Sequence, residues 1–81
     1  MRRDLIEAGK TYADDKKGLR RIVDIGPDGW GEICVRYALL GGKNTSKPLS
    51  HDDAGIPIFG CYIHSFQIWA KKIVESGPDA K

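Results

Sequence analysis

Short runs of alternating apolar and polar residues, turns rich in glycine, proline and aspartate, and one closing stretch with helical spacing predict a mainly β domain. The architecture they imply is a small SH3-like antiparallel barrel, or a strongly bent sheet, of about four to five strands with a C-terminal α-helix. The 81 residues, 41% apolar and 30% charged, read as a single globular domain over 1–81. A chain of this size buries only about 60–65% of its unfolded surface, so each large core side chain carries weight.

Residues 2–8 carry Leu5, Ile6 and Ala8 and predict one or two helical turns stopped by Gly9. Residues 10–13, KTYA, predict a short strand, and the polar 14–18, DDKKG, a hairpin loop. Residues 19–25, LRRIVDI, form the first long strand. Alternation puts Leu19, Arg21, Val23 and Ile25 on one face, with Leu19, Val23 and Ile25 in the core, and Arg20, Ile22 and Asp24 on the other. Gly26-Pro27-Asp28-Gly29 reverses the chain. Residues 30–40, WGEICVRYALL, predict a partner strand with Ile33, Val35, Tyr37 and Leu39 facing inward. Residues 41–57 read as a long polar loop, a type of connection that often carries function. Residues 58–64, IFGCYIH, predict a last strand, bulged at Gly60. The helix is expected over 65–76, with Ser65 as N-cap and Gly77-Pro78 as its end. Phe66, Trp69, Ala70, Ile73 and Val74 share its apolar side, with Gln67, Lys71 and Glu75 opposite. Phe66, Trp69 and Ile73 then form a core stripe, and Trp69→Ala is expected to unfold the protein, since such truncations cost roughly 3–5 kcal/mol.

Thirteen basic and 11 acidic residues leave a net charge of +2, too even for a nucleic-acid footprint from total charge alone. No apolar run reaches membrane-spanning length, and residues 1–10 lack the apolar segment of a secretion signal. A cytoplasmic location in a bacterial host is expected, with Cys34 and Cys61 as reduced thiols in strands.

Local clustering therefore decides what can bind. Lys16, Lys17, Arg20 and Arg21, with Arg36 on the neighbouring strand, form a candidate phosphate-contacting set, and Tyr12, Trp30 and Tyr62 are candidates for stacking. Against this, Asp14, Asp15, Asp24 and Glu32 interleave, and Arg20 or Arg36 could pair across strands with Glu32 or Asp24. Arg20 and Arg21 are adjacent on a strand and face opposite ways. His51-Asp52-Asp53 in the long loop is a further candidate cluster, with an ordinary solvated turn as the competing reading. Cys34, His51, Cys61 and His64 are zinc-ligand types but lack two closely spaced pairs, so no metal is expected. Gly41-Gly42-Lys43-Asn44-Thr45-Ser46 lacks the spacing of a phosphate loop. No serine or cysteine nucleophile stands next to a base in any convincing pattern, so no catalytic residue, no cofactor and no enzyme activity are expected.

The segments KTYADDKKGLRRIVDIG, VRY and SFQIWAKK resemble small phage and prophage proteins of a KOW-like or SH3-like type, through Lys10, Thr11, Tyr12, Arg20, Arg21, Ile22, Val23, Ile25, Val35, Tyr37, Ser65, Phe66, Trp69 and Ala70. That resemblance implies a non-enzymatic binding module of phage origin. By analogy its role is inhibition of a bacterial host defence system, in the manner of an anti-CRISPR protein, with a host protein complex as partner. The alternative is a nucleic-acid-binding SH3-like barrel that uses Arg20, Arg21, Arg36 and exposed aromatics. Open strand edges also allow a homodimer.

Overall fold

The computed structural model describes residues 1–74. After a 3-10 turn at Arg3–Leu5 come β1 (Thr11–Ala13), β2 (Leu19–Pro27), β3 (Ile33–Gly41), β4 (Ser50–His51), β5 (Pro57–Tyr62), α1 (Ile63–Trp69) and β6 (Lys72–Val74). The strands form one antiparallel sheet in the order β4-β5-β3-β2-β1-β6, mainly β with one helix as the sequence predicts. Two short strands, β4 and β6, take the number to six.

One device shapes all three hairpins. An aspartate at the start of each turn accepts backbone amides through a single carboxylate oxygen, which fixes the reversal. Asp14 Oδ1 accepts from Lys16 at 2.9 Å and Gly18 at 3.0 Å. Asp28 Oδ1 accepts from Trp30 at 2.7 Å and Glu32 at 3.0 Å. Asp52 Oδ1 accepts from Ala54 and Ile56, each at 2.9 Å. The third turn places a β4–β5 hairpin inside what reads from sequence as one long loop over 41–57.

The core lies on one face of the sheet, under α1. Phe66 is its hub, fully buried, with ring centroids 5.4 Å from Tyr12, 5.8 Å from Tyr37 and 5.3 Å from Trp69. Ile6, Ile22, Val35, Phe59, Ile63 and Ala70 complete it. Tyr12 keeps its hydroxyl satisfied inside by donating to Leu5 O at 2.6 Å and accepting from Glu7 N at 2.8 Å. It is a core residue and not a stacking platform.

Five expectations are corrected. First, β2 carries a bulge: Ile22 pairs with Tyr37 and Asp24 with Arg36, so Val23 is the extra residue. The bulge reverses the alternation, so Ile22 is buried and Val23 is 44% exposed. Second, β3 starts at Ile33, and Trp30 sits in the turn, 89% exposed. Third, β5 keeps an unbroken register against β3 from Ile58 to Tyr62, so Gly60 is not a bulge. Fourth, the helix begins at Ile63 with Tyr62 as N-cap, so Ser65 lies within it. Fifth, the helix ends at Trp69. Ala70 is already extended, the Lys71 amide donates to Ala13 O at 2.9 Å, and Ile73 pairs with Tyr12 in β6. The open edge of β1 captures the β-branched Ile73-Val74 pair, and tertiary pairing overrides helical spacing. Ile73 is therefore an exposed strand residue outside the core stripe, and Trp69 is half-buried. The expected helical residues 75–76 and the Gly77-Pro78 stop lie outside the described residues.

Candidate anion-binding pocket

The β1–β2 turn and the loop after β3 meet at one end of the sheet and enclose a cavity of about 660 Å³. Glycines let the two backbones touch. A Cβ on Gly42, whose φ is +84°, would lie 2.9 Å from Gly18 Cα. A Cβ on Gly18 would lie 2.9 Å from Trp69 Cζ2 and 2.8 Å from Asp14 Oδ2. No side chain fits between these surfaces, so the turn, the loop and the indole form one wall.

Arg20 lines this cavity from β2. Its guanidinium carbon lies 4.1 Å from the Trp69 ring centroid and 4.4 Å from that of Tyr37, so it is held between two aromatic faces. Its Nε is buried without a hydrogen-bond partner, and no carboxylate lies within ion-pairing distance among the described residues. Tyr37 is fixed in turn by Asn44, whose Nδ2 donates to the phenol oxygen at 2.8 Å. Lys16, Lys17 and Lys43 also line the cavity, and none forms an ion pair with a described residue. Among the described residues Asp14 is the one acid in the lining. The Lys16 amide, helped by the Gly18 amide and the Trp69 indole, holds its carboxyl below the ordinary value of 3.8, against the opposite pull of burial. Asp14 therefore stays ionised, as one fixed negative charge among the cations.

The other arginines that the sequence singles out are placed differently. Arg21 points to the opposite face, 4.0 Å from Asp52. Arg36 makes a two-pronged pair with Asp24, Nε to Oδ1 at 2.9 Å and Nη2 to Oδ2. That contact lowers the Asp24 carboxyl and raises the guanidinium. The structure therefore brings Lys16, Lys17 and Arg20 together and separates them from Arg21 and Arg36. Trp30 sits at the β2–β3 turn, and Tyr62, 53% exposed, lies on the outer face. His51 ends β4, paired with Pro57, and Asp52 and Asp53 begin the β4–β5 turn, where Asp52 serves the backbone.

Sequence reading missed Lys43 and Trp69 as members of the pocket. Glycines opposite one another across a hairpin, Gly18 and Gly41-Gly42, are the signal that could have found the loop contact, given a register in which Leu19 faces Gly41. The thiols show no activation. Burial is the main cause that raises both, with Asp28 adding to Cys34 and Arg20 opposing the shift at Cys61. Among the described residues no three His, Cys, Asp or Glu side chains cluster as metal ligands. No described helix is long and apolar enough to cross a membrane. A second cavity, about 530 Å³, lies on the outer face beside Leu49, Gly60 and Tyr62. No family model, curated protein or solved structure matches this chain.

Proposed function

We propose that the protein is a non-enzymatic binding module whose partner is nucleic acid, held through the Lys16–Lys17–Lys43 rim and Arg20. The observation that carries this reading is the clustering of charge. Lys16, Lys17, Arg20 and Lys43 gather around one concavity and none forms an ion pair with a described residue, whereas the other described cations without such a pair, Arg3, Lys47, Lys71 and Lys72, do not line it. Unpaired cations around one concavity release counterions when phosphates replace them, which drives salt-sensitive binding. The test is fluorescence anisotropy with labelled oligonucleotides over a salt series. Binding should weaken steeply with salt, and each of Lys16→Glu, Lys17→Glu and Lys43→Glu should weaken it further and flatten the salt slope by about one. Arg21→Glu and Arg36→Glu should do much less. Binding that ignores the lysines but follows Arg21 and Arg36 refutes the assignment.

A second reading, contact with a bacterial host protein in the manner of a phage-encoded inhibitor, draws on the outer face. Leu49 is 65% exposed there beside Tyr62, next to the second cavity. Capture of one bacterial complex from nuclease-treated lysate, lost in a Leu49→Asp variant, would favour it over the first.

A further inference from the structure

Resting on the nucleic-acid reading, we infer that the pocket takes the terminal phosphate of a nucleic-acid strand and not its bases or internal phosphodiesters. One face of the Trp69 indole carries the Arg20 guanidinium and Phe66 packs against the same side chain at 5.3 Å, while its Cζ2 edge abuts Gly18. The Tyr37 ring is shared in the same way between Arg20, Phe59 and Phe66. Tyr37 is buried and one face of Trp69 carries the guanidinium, which leaves these rings poorly placed to stack a base as single-strand binding grooves do. They hold the arginine instead.

Arg20 is thereby fixed before any ligand arrives. A guanidinium offers planar donors suited to phosphate oxygens, and one held in place loses less freedom on binding than a mobile side chain. It lines a concavity whose other cations are Lys16, Lys17 and Lys43. An internal phosphodiester carries one charge and a sugar on each side, so it can run along the lysine rim but enters a recess poorly. A terminal phosphomonoester projects from the chain end with about −1.5 to −2 charges and three acceptor oxygens. It matches four cations better than any other group on a nucleic acid. The Asp14 carboxylate in the lining is tied back to the Lys16 and Gly18 amides but stays charged, so the phosphate meets four cations against one anion.

The test compares single-stranded oligonucleotides of one sequence ending in 5′-phosphate, 3′-phosphate or hydroxyls only, with phosphoserine peptide and inorganic phosphate as further probes. Wild type should prefer one phosphorylated end by about tenfold to a hundredfold, as charge-assisted bonds to a fixed guanidinium imply. Inorganic phosphate should compete that preference away without displacing the hydroxyl-ended strand. Arg20→Gln should abolish the preference and retain rim binding, and Arg20→Lys should recover only part of it. Since Arg20 also packs, the phosphate competition on wild type stands independent of any folding defect in the variants. Equal binding of all three oligonucleotides, still dependent on the lysines, overturns the end-phosphate inference and leaves the nucleic-acid reading intact. A phosphoserine peptide that binds as tightly as the phosphorylated strand overturns the assignment to nucleic-acid ends. Failure of every oligonucleotide to bind overturns both.

Discussion

Replacing Gly42 with alanine probes the loop contact on which the pocket depends. Gly42 has a φ of +84°, and a Cβ there would lie 2.9 Å from Gly18 Cα, a backbone atom that no rotamer change can move. The left-handed backbone alone costs a non-glycine residue about 1–2 kcal/mol. Forcing backbone apart in a packed region adds about 1–3 kcal/mol. The sum, roughly 2–5 kcal/mol, is large beside the 4–12 kcal/mol expected for a domain of this length. At about 4–8 °C per kcal/mol the melting temperature should fall by roughly 10–40 °C. Two other glycines separate the contributions. Gly9 has a φ of +90° with open space around it, so Gly9→Ala should show the backbone cost alone. Gly29 has neither feature, and Gly29→Ala should be close to neutral. Thermal and urea unfolding followed by circular dichroism would rank them Gly42, Gly9, Gly29. A Gly42→Ala protein as stable as Gly9→Ala refutes the close approach of the two loops.

Phe66→Ala removes the fully buried hub and should cost roughly 3–5 kcal/mol by urea midpoint, more than Trp69→Ala, whose side chain is half-buried. The exposed Asp24–Arg36 pair should contribute little in a double-mutant cycle despite its two-pronged geometry, and less again in high salt. Asp14 and Asp24 both titrate below 3.8 in the fold. The stability they add is complete above the ordinary carboxylate value and should be lost as pH falls through the lowered ones, an acid limb that Asp14→Asn and Asp24→Asn should shrink. Burial raises Tyr37 above 10.0 and Cys61 above 9.0. Both are favoured neutral, so stability present below those ordinary values should be lost as pH climbs through the raised ones.

The legible parts of this fold were those governed by local chemistry. Asp14 and Asp28 mark turns because a short carboxylate reaches amides two and four residues on, and that signal needs no partner strand; Asp52 obeys the same rule, but its hairpin was hidden within the polar run 41–57. The β2 and β3 pattern was equally visible until Val23, where an inserted residue exchanged the faces of Arg20, Arg21 and Ile22, and a second shift at Leu40 precedes Arg20. Nothing in LRRIVDI announces that insertion, since only the opposing strand defines it. The end of α1 was hidden for a different reason. Ala70, Ile73 and Val74 keep helical spacing from Phe66, and short apolar runs fit either period. The vacant edge of β1 settled the matter. For the site, Lys16, Lys17 and Arg20 were close in sequence and stayed close in space. Lys43 and Trp69 joined them through a loop contact and a helix crossing that no spacing rule encodes.

That helix crossing has a kinetic meaning. The chain leaves β5 near one border of the sheet and returns through α1 to lay β6 on the other, so Thr11 finds Val74 across almost the whole described chain. The β1–β2 and β2–β3 hairpins close short loops, whereas β6 must wait until the helix has docked. The last strand to arrive should be the first to leave. In hydrogen exchange, the amides bonded between β1 and β6, with Lys71 beside them, should open well below the global unfolding energy, while those between β2 and β3 persist until the whole domain lets go.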